Sequence, residues 1–146
     1  MKRAVGLLVV ASIGAALGSC QPKGRAHAER ISTGSQLIGG PKALGQIGDY
    51  LLENDKIRVI VHGPGPNRGS TLFGGSLLDA DLQRPSGKAG RGNDQLGEVF
   101  PSFLLAALEP QSFEVTADGS NGGAAVVTVE GEAGDLLQMV AVMNLG

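Results

Sequence analysis

After position 30, apolar residues come in short runs, each broken within a few positions by Gly, Pro, Asn or Asp. Strands and hairpins read this way, because a helix needs apolar positions repeated at three- and four-residue intervals over a longer stretch. Residues 49–52 and 57–61 flank Glu53-Asn54-Asp55-Lys56, a hairpin signal, since Asn and Asp tolerate the positive φ of tight turns. In the second run Ile57, Val59 and Val61 share one face. Lys56, Arg58 and His62 share the other, with Ile60 as the only apolar exception, so the spacing predicts a half-buried strand. Residues 112–118 alternate throughout, with Phe113, Val115 and Ala117 inward and Ser112, Glu114, Thr116 and Asp118 outward. Residues 124–130 continue after the loop Asp118-Gly-Ser-Asn-Gly-Gly123, and the two runs are expected to pair.

Two stretches are less regular. Residues 100–108 place Phe100, Phe103, Leu104, Ala107 and Leu108 at helical spacing behind Pro101, and suit a short helix as well as a strand. Pro110 is expected to end the element in either case. Residues 136–143 are apolar on both faces apart from Gln138, which predicts a central strand covered from both sides. Few residues follow it to supply neighbours. The expected fold is therefore all-β, a partial antiparallel β-sandwich over 31–146 that is truncated or completed by a further domain or chain. With 24 glycines, seven prolines, five aromatic residues and no Trp, the composition favours tight turns and aliphatic packing, which agrees with that reading.

The first nineteen residues follow another pattern. Lys2 and Arg3 precede an uncharged run, residues 4–17, rich in Leu, Val, Ile and Ala and ending in small residues. This is the pattern of a secretory signal peptide. As a helix, about fifteen residues span roughly 22 Å, short of a hydrocarbon core of roughly 30 Å, so the run is too short for a membrane anchor. Cys20 is the only cysteine, which excludes an internal disulfide, a CxxC redox pair and a multi-cysteine zinc site. Removing Lys2 and Arg3 with the leader leaves ten basic against fourteen acidic residues, a balance of minus four. That mild acidity, without Lys/Arg blocks interleaved with aromatics, argues against nucleic acid as a partner.

Leu17-Gly18-Ser19-Cys20 resembles the lipobox of bacterial lipoproteins: an aliphatic residue, two small residues, then Cys. The resemblance implies diacylglycerol on the Cys20 sulfur, cleavage before Cys20, and usually acylation of the new N-terminus. Each buried CH₂ contributes about 0.8 kcal/mol and a single chain binds only marginally, so two or three chains hold the protein on the bilayer. Gln21 stands where Asp commonly signals inner-membrane retention in lipoproteins of Gram-negative bacteria, which points to the outer membrane. Residues 20–30, with Pro22, Gly24 and several charged side chains, read as the lipidated cysteine and a flexible tether.

Within the body, residues 48–61, Phe73-Gly-Gly-Ser-Leu-Leu-Asp-Ala80 and Asp94-Gln-Leu-Gly-Glu-Val-Phe-Pro101 resemble the opening of large lipoproteins and secreted proteins of myxobacteria and related groups. The matching stretches are strand and turn signatures and include no catalytic motif. They imply a β-sandwich at the head of a longer protein, of the galactose-mutarotase-like supersandwich kind.

Candidate chemistry is sparse. Gly63-Pro-Gly-Pro-Asn-Arg-Gly-Ser70 follows a strand, but Pro64 and Pro66 each remove a backbone donor and no Lys precedes Ser70, so it reads as a surface connection and not a phosphate loop. Asp79, Asp81, Asn93, Asp94 and Glu98 offer hard oxygens from two loops that would have to meet to form a Ca²⁺ or ligand site. EF-hand spacing is absent, and turn formation accounts for these residues more simply. His62 beside Glu98 or Asp94 is the one acid–base arrangement open to the chain, although a lone His at a strand end is usually a surface residue. No catalytic set and no cofactor motif is recognisable. The sequence thus favours a membrane-tethered, non-catalytic β module that binds or scaffolds at the cell envelope. The alternatives are the head domain of a mutarotase-like or glycosidase-like enzyme using the 79–98 carboxylates, and a truncated gene fragment.

Overall fold

The computed structural model describes residues 26–66, 68–84, 92–104 and 106–135. They form seven strands in two antiparallel sheets and no α-helix. The first sheet has the order β1 (His27–Arg30), β2 (Tyr50–Glu53), β3 (Ile57–Val61) and β4 (Leu77–Leu82). The second comprises β5 (Ser102–Phe103), β6 (Ala106–Asp118) and β7 (Ala125–Asp135). The expected β class is therefore what the chain adopts. The strand anticipated at residues 136–143, and the leader and lipobox, lie outside the described residues.

The β2–β3 hairpin forms where Asn54 can turn the chain. Its side-chain Oδ1 accepts from the Lys56 N–H at 2.8 Å and the Ile57 N–H at 2.9 Å, holding the turn in the manner of an Asx motif. The hairpin registers Leu52 opposite Val59 and Tyr50 opposite Val61. The 112–118 and 124–130 runs pair as read, with Phe113 opposite Val129 and Val115 opposite Val127. Buried Ala28, Tyr50, Leu52 and Val61 of the first sheet meet Leu108, Val127 and Val129 of the second, and this shared apolar layer joins the sheets.

Three expectations need correction. β1 begins at His27, inside the stretch read as tether, because Ala28 is buried in the core and all four residues pair with β2. β3 is covered on both faces. Ile60 is fully buried with Ile31, Ile38 and Leu51 in a second apolar cluster, made where residues 31–48 cross behind the first sheet. Of the two readings open for residues 100–108 the strand is the one formed, with β5 turning at Leu104 into β6. Pro110, however, does not end that element. The register shifts between Pro110 and Ser112, a bulge that absorbs the missing N–H, and β6 runs on to Asp118.

Candidate functional site

The carboxylates singled out from the sequence are strung along β4, the edge strand of the first sheet, and their oxygens are turned towards backbone N–H groups. Asp79 and Asp81 lie on strand β4 and not in a loop. Asp79 is 1 % exposed and accepts from the Leu44 N–H at 2.7 Å and the Gly45 N–H at 3.0 Å. Gly45 is required there, since a Cβ at that position would sit 2.7 Å from Asp79 Oδ2 and 2.6 Å from Ile60 Cδ1. Asp94, fully buried, accepts through Oδ1 from the Ala80 N–H at 2.8 Å and the Leu96 N–H at 3.2 Å. Its Oδ2 is buried without a hydrogen-bond partner. Asp81 accepts from the Asn93 N–H at 2.7 Å, and both of its oxygens accept from Arg84 Nη2 at 2.8 Å.

Glu98 serves a different loop. Its Oε2 accepts from the N–H groups of Ser70 and Thr71, and its Oε1 from the hydroxyls of Thr71 at 2.9 Å and Ser76 at 2.6 Å. Each carboxylate therefore fixes a connection to the sheet through charge-assisted hydrogen bonds from backbone N–H groups.

Asp49 was not among the residues the sequence brought forward, yet it has the same role. It is 2 % exposed, accepts through Oδ1 from the Gly63 N–H at 2.9 Å, and through Oδ2 from the Gln46 N–H at 2.7 Å and from Arg68. Arg68 thus ties the 63–70 connection to the sheet, although that segment reads as a plain surface loop. The sequence places Asp49 only at the head of the 49–52 run, and nothing local points to a partner nineteen residues away.

These environments shift the acids in opposite directions. Burial pushes the Asp79 carboxyl above the usual carboxylate range, and the nearby Asp94 and Asp49 carboxyls add to it against the two backbone hydrogen bonds. Burial also acts on Glu98, but the hydrogen bonds from Ser76, Thr71 and Ser70 outweigh it and hold that carboxyl below its ordinary value. Asp81 is likewise lowered, its desolvation overcome by the Asn93 N–H and Arg84. A raised carboxyl in a cleft is a common general acid. Asp79 has no such access, because a 1 % exposed group holding two backbone donors cannot reach a dissolved substrate.

His62 departs furthest from expectation. Its position at a strand end suggested a surface residue, but it is fully buried and neither ring nitrogen has a hydrogen-bond partner. The β3–β4 pairing continues past the strand end, with the His62 N–H donating to the Ser76 carbonyl at 2.8 Å and the Gly75 N–H to the His62 carbonyl at 3.0 Å, and this draws the ring inside. Gly74 lies against it: a Cβ there would fall 2.6 Å from His62 Nδ1. Neither Glu98 nor Asp94 bonds the imidazole. Among the described residues, no group of three or more His, Cys, Asp or Glu side chains is arranged to hold a metal ion. Among the described residues, no helix long and apolar enough to cross a membrane is present.

Comparison of the chain with protein-family models, with curated proteins and with solved structures finds no match in any of the three.

Proposed function

We propose that the chain is a lipid-anchored protein of the bacterial cell envelope, held in the outer membrane through acylated Cys20, whose β module binds or scaffolds and does not catalyse. The observation that carries the second half is the use made of the carboxylates. Asp79, Asp81, Asp94 and Glu98 are engaged by backbone N–H groups, and two of them are sealed from solvent, so these four supply no acid–base pair for glycoside or acyl chemistry.

The first half rests on Leu17-Gly18-Ser19-Cys20 and the apolar run before it. Its fit with the fold is a matter of reach. β1 starts at His27, seven positions after Cys20, and seven residues extend at most roughly 25 Å. An acylated Cys20 would therefore keep the module close to the bilayer surface. The outer edge of β7 has no neighbouring strand among the described residues, which suits a further domain or chain adding to the sheet.

Metabolic labelling of the expressed full chain with an alkyne palmitate analogue, followed by mass spectrometry of the N-terminal peptide, tests the anchor. Expected is a peptide beginning at diacylglyceryl-Cys20, with label and membrane fractionation both lost in Cys20→Ala. An unmodified sulfur, or residues 1–19 still attached, would overturn the reading.

A further inference from the structure

A cleft of about 260 Å³ opens between the β3–β4 connection and the middle of β6. Phe73, Phe113, Pro64 and Pro110 give it apolar walls, and Glu109 and Gln111 supply its polar side chains. Its volume lies just under the roughly 300–1,000 Å³ of ordinary small-molecule sites, room for one small group and no more. The walls are fixed in place. Tyr50 stacks on one face of the Phe113 ring with centroids 5.9 Å apart and planes 4° from parallel, and the Pro110 bulge sets where β6 bends beside the opening.

The β6–β7 wall of this cleft carries charge of one sign, and Arg68 of the opposite connection is engaged by Asp49. From Gly92 to the last residue the chain contains no Lys, Arg or His, while β6 and β7 carry Glu109, Glu114, Asp118, Glu130, Glu132 and Asp135. Glu109 stands directly opposite Glu132 in the β6–β7 register, and both are exposed. Like charges so placed destabilise a sheet, and among the described residues neither has a cationic partner. The cleft thus combines two phenyl rings with a carboxylate whose negative neighbour is uncompensated.

We propose that this cleft binds an organic cation: an ammonium or guanidinium group on a short alkyl stem. The charged head sits on Glu109 and relieves its repulsion with Glu132, while the stem packs against Phe73 and Phe113, whose rings attract cations at their faces. An anion is repelled at this wall, and a neutral ligand leaves the Glu109–Glu132 repulsion in place. The inference rests on the binding-module half of the reading above and is independent of the anchor.

Calorimetric titration of the full-length protein in detergent, with n-butylguanidinium, n-butylamine, a blocked arginine amide and neutral n-butylurea, tests it. Saturable binding of the cations but not of the urea is expected, and the ratio of free amine to blocked arginine tells a small amine from a basic peptide side chain. Loss of a charged hydrogen-bond partner in Glu109→Gln should weaken binding about ten-fold or more, whereas Glu130→Gln, outside the cleft, should change it less than about two-fold. Both sites are exposed, so the variants keep the fold. Absence of saturable binding, equal binding of butylurea, or equal weakening by the two variants overturns the proposal. Palmitate labelling of the same preparation separates the two readings: lipid on Cys20 without cation binding sinks this one alone.

Discussion

Glu98 and Thr71 are joined twice, the carboxylate accepting from the Thr71 N–H at 3.0 Å and from its hydroxyl at 2.9 Å, across twenty-seven residues of chain. With Ser70 and Ser76 as further donors, this one side chain organises the connection between β3 and β4. Glu98→Ala is expected to destabilise the fold by about 2–3 kcal/mol, because several donors lose a charged acceptor at once and water replaces it only in part. Urea unfolding followed by far-UV circular dichroism gives the value. A loss under about 0.5 kcal/mol, the level of an ordinary surface substitution, would mean that the connection holds without Glu98.

The same carboxylate sets part of the acid sensitivity. Its folded-state pKa lies below the ordinary glutamate value of 4.5, so its contribution is complete above that value and is lost as pH falls through the depressed folded pKa. Asp79 works the other way. Its folded pKa lies above 3.8, so the native state holds that proton more tightly than the unfolded chain, and the stability this gives is present at low pH and lost as pH rises through the folded value. Glu98→Gln should therefore flatten the fall in stability below about pH 4.5, whereas Asp79→Asn should steepen it. Melting temperatures measured between pH 3 and 7 decide, and parallel curves for both variants and wild type would contradict the assignment.

Gly74 is held to its identity by His62. A Cβ at position 74 would stand 2.6 Å from His62 Nδ1 and 2.7 Å from the Gly63 carbonyl oxygen, and the second contact is backbone that cannot swing aside. Gly74→Ala should cost about 1–3 kcal/mol, the usual penalty of overpacking. Gly97→Ala is the control, since nothing lies within 4 Å of its Cβ position, and its effect should stay within about 0.5 kcal/mol. Equal effects in denaturant titrations would show that the 74 position has more room than its neighbours indicate.

A buried imidazole with no hydrogen-bond partner on either nitrogen contributes packing and little else. His62→Leu keeps most of the volume and removes two unmet polar atoms, so it is expected to be neutral or stabilising by about 1 kcal/mol. Thermal unfolding measures this. A destabilisation beyond about 2 kcal/mol would reveal a bound water or ligand group serving the ring, because that is the cost of deleting a satisfied buried polar group.

The local signals were legible where they were local. Asn54 and the Asp118–Gly123 loop announced their hairpins because turn chemistry acts within four to six residues, and the alternation of 112–118 announced β6. Pairings across long separations left little trace. Nothing near Ile60 shows that Ile31 and Ile38 return to cover it, so β3 reads as half-buried. The four site carboxylates were identified as a group, but hydrophilicity alone does not distinguish an acid facing solvent from one facing the Leu44 and Gly45 amides. Phe103-Leu104 carries no turn residue, so the β5–β6 hairpin was invisible.

That hairpin supplies the last prediction. Leu104 has φ of 55°, the only positive value among the non-glycine residues described, and it is the first of the two positions between the paired Phe103 and Ala106. Tight hairpins of this kind need φ above zero at the first central position, which L-residues other than Gly, Asn and Asp adopt at a cost of roughly 1–2 kcal/mol. Packing does not repay that cost, since Leu104 is 83 % exposed. Leu104→Asn should therefore raise stability by about 1 kcal/mol, as Asn tolerates the left-handed region and no buried contact is lost. Chemical denaturation with an unchanged slope is the expected signature, because the surface exposed on unfolding stays the same. Destabilisation would mean that the Leu104 side chain is covered by another chain or segment, making the exposed Phe103-Leu104 tip a contact surface and its unfavourable backbone the consequence of that contact.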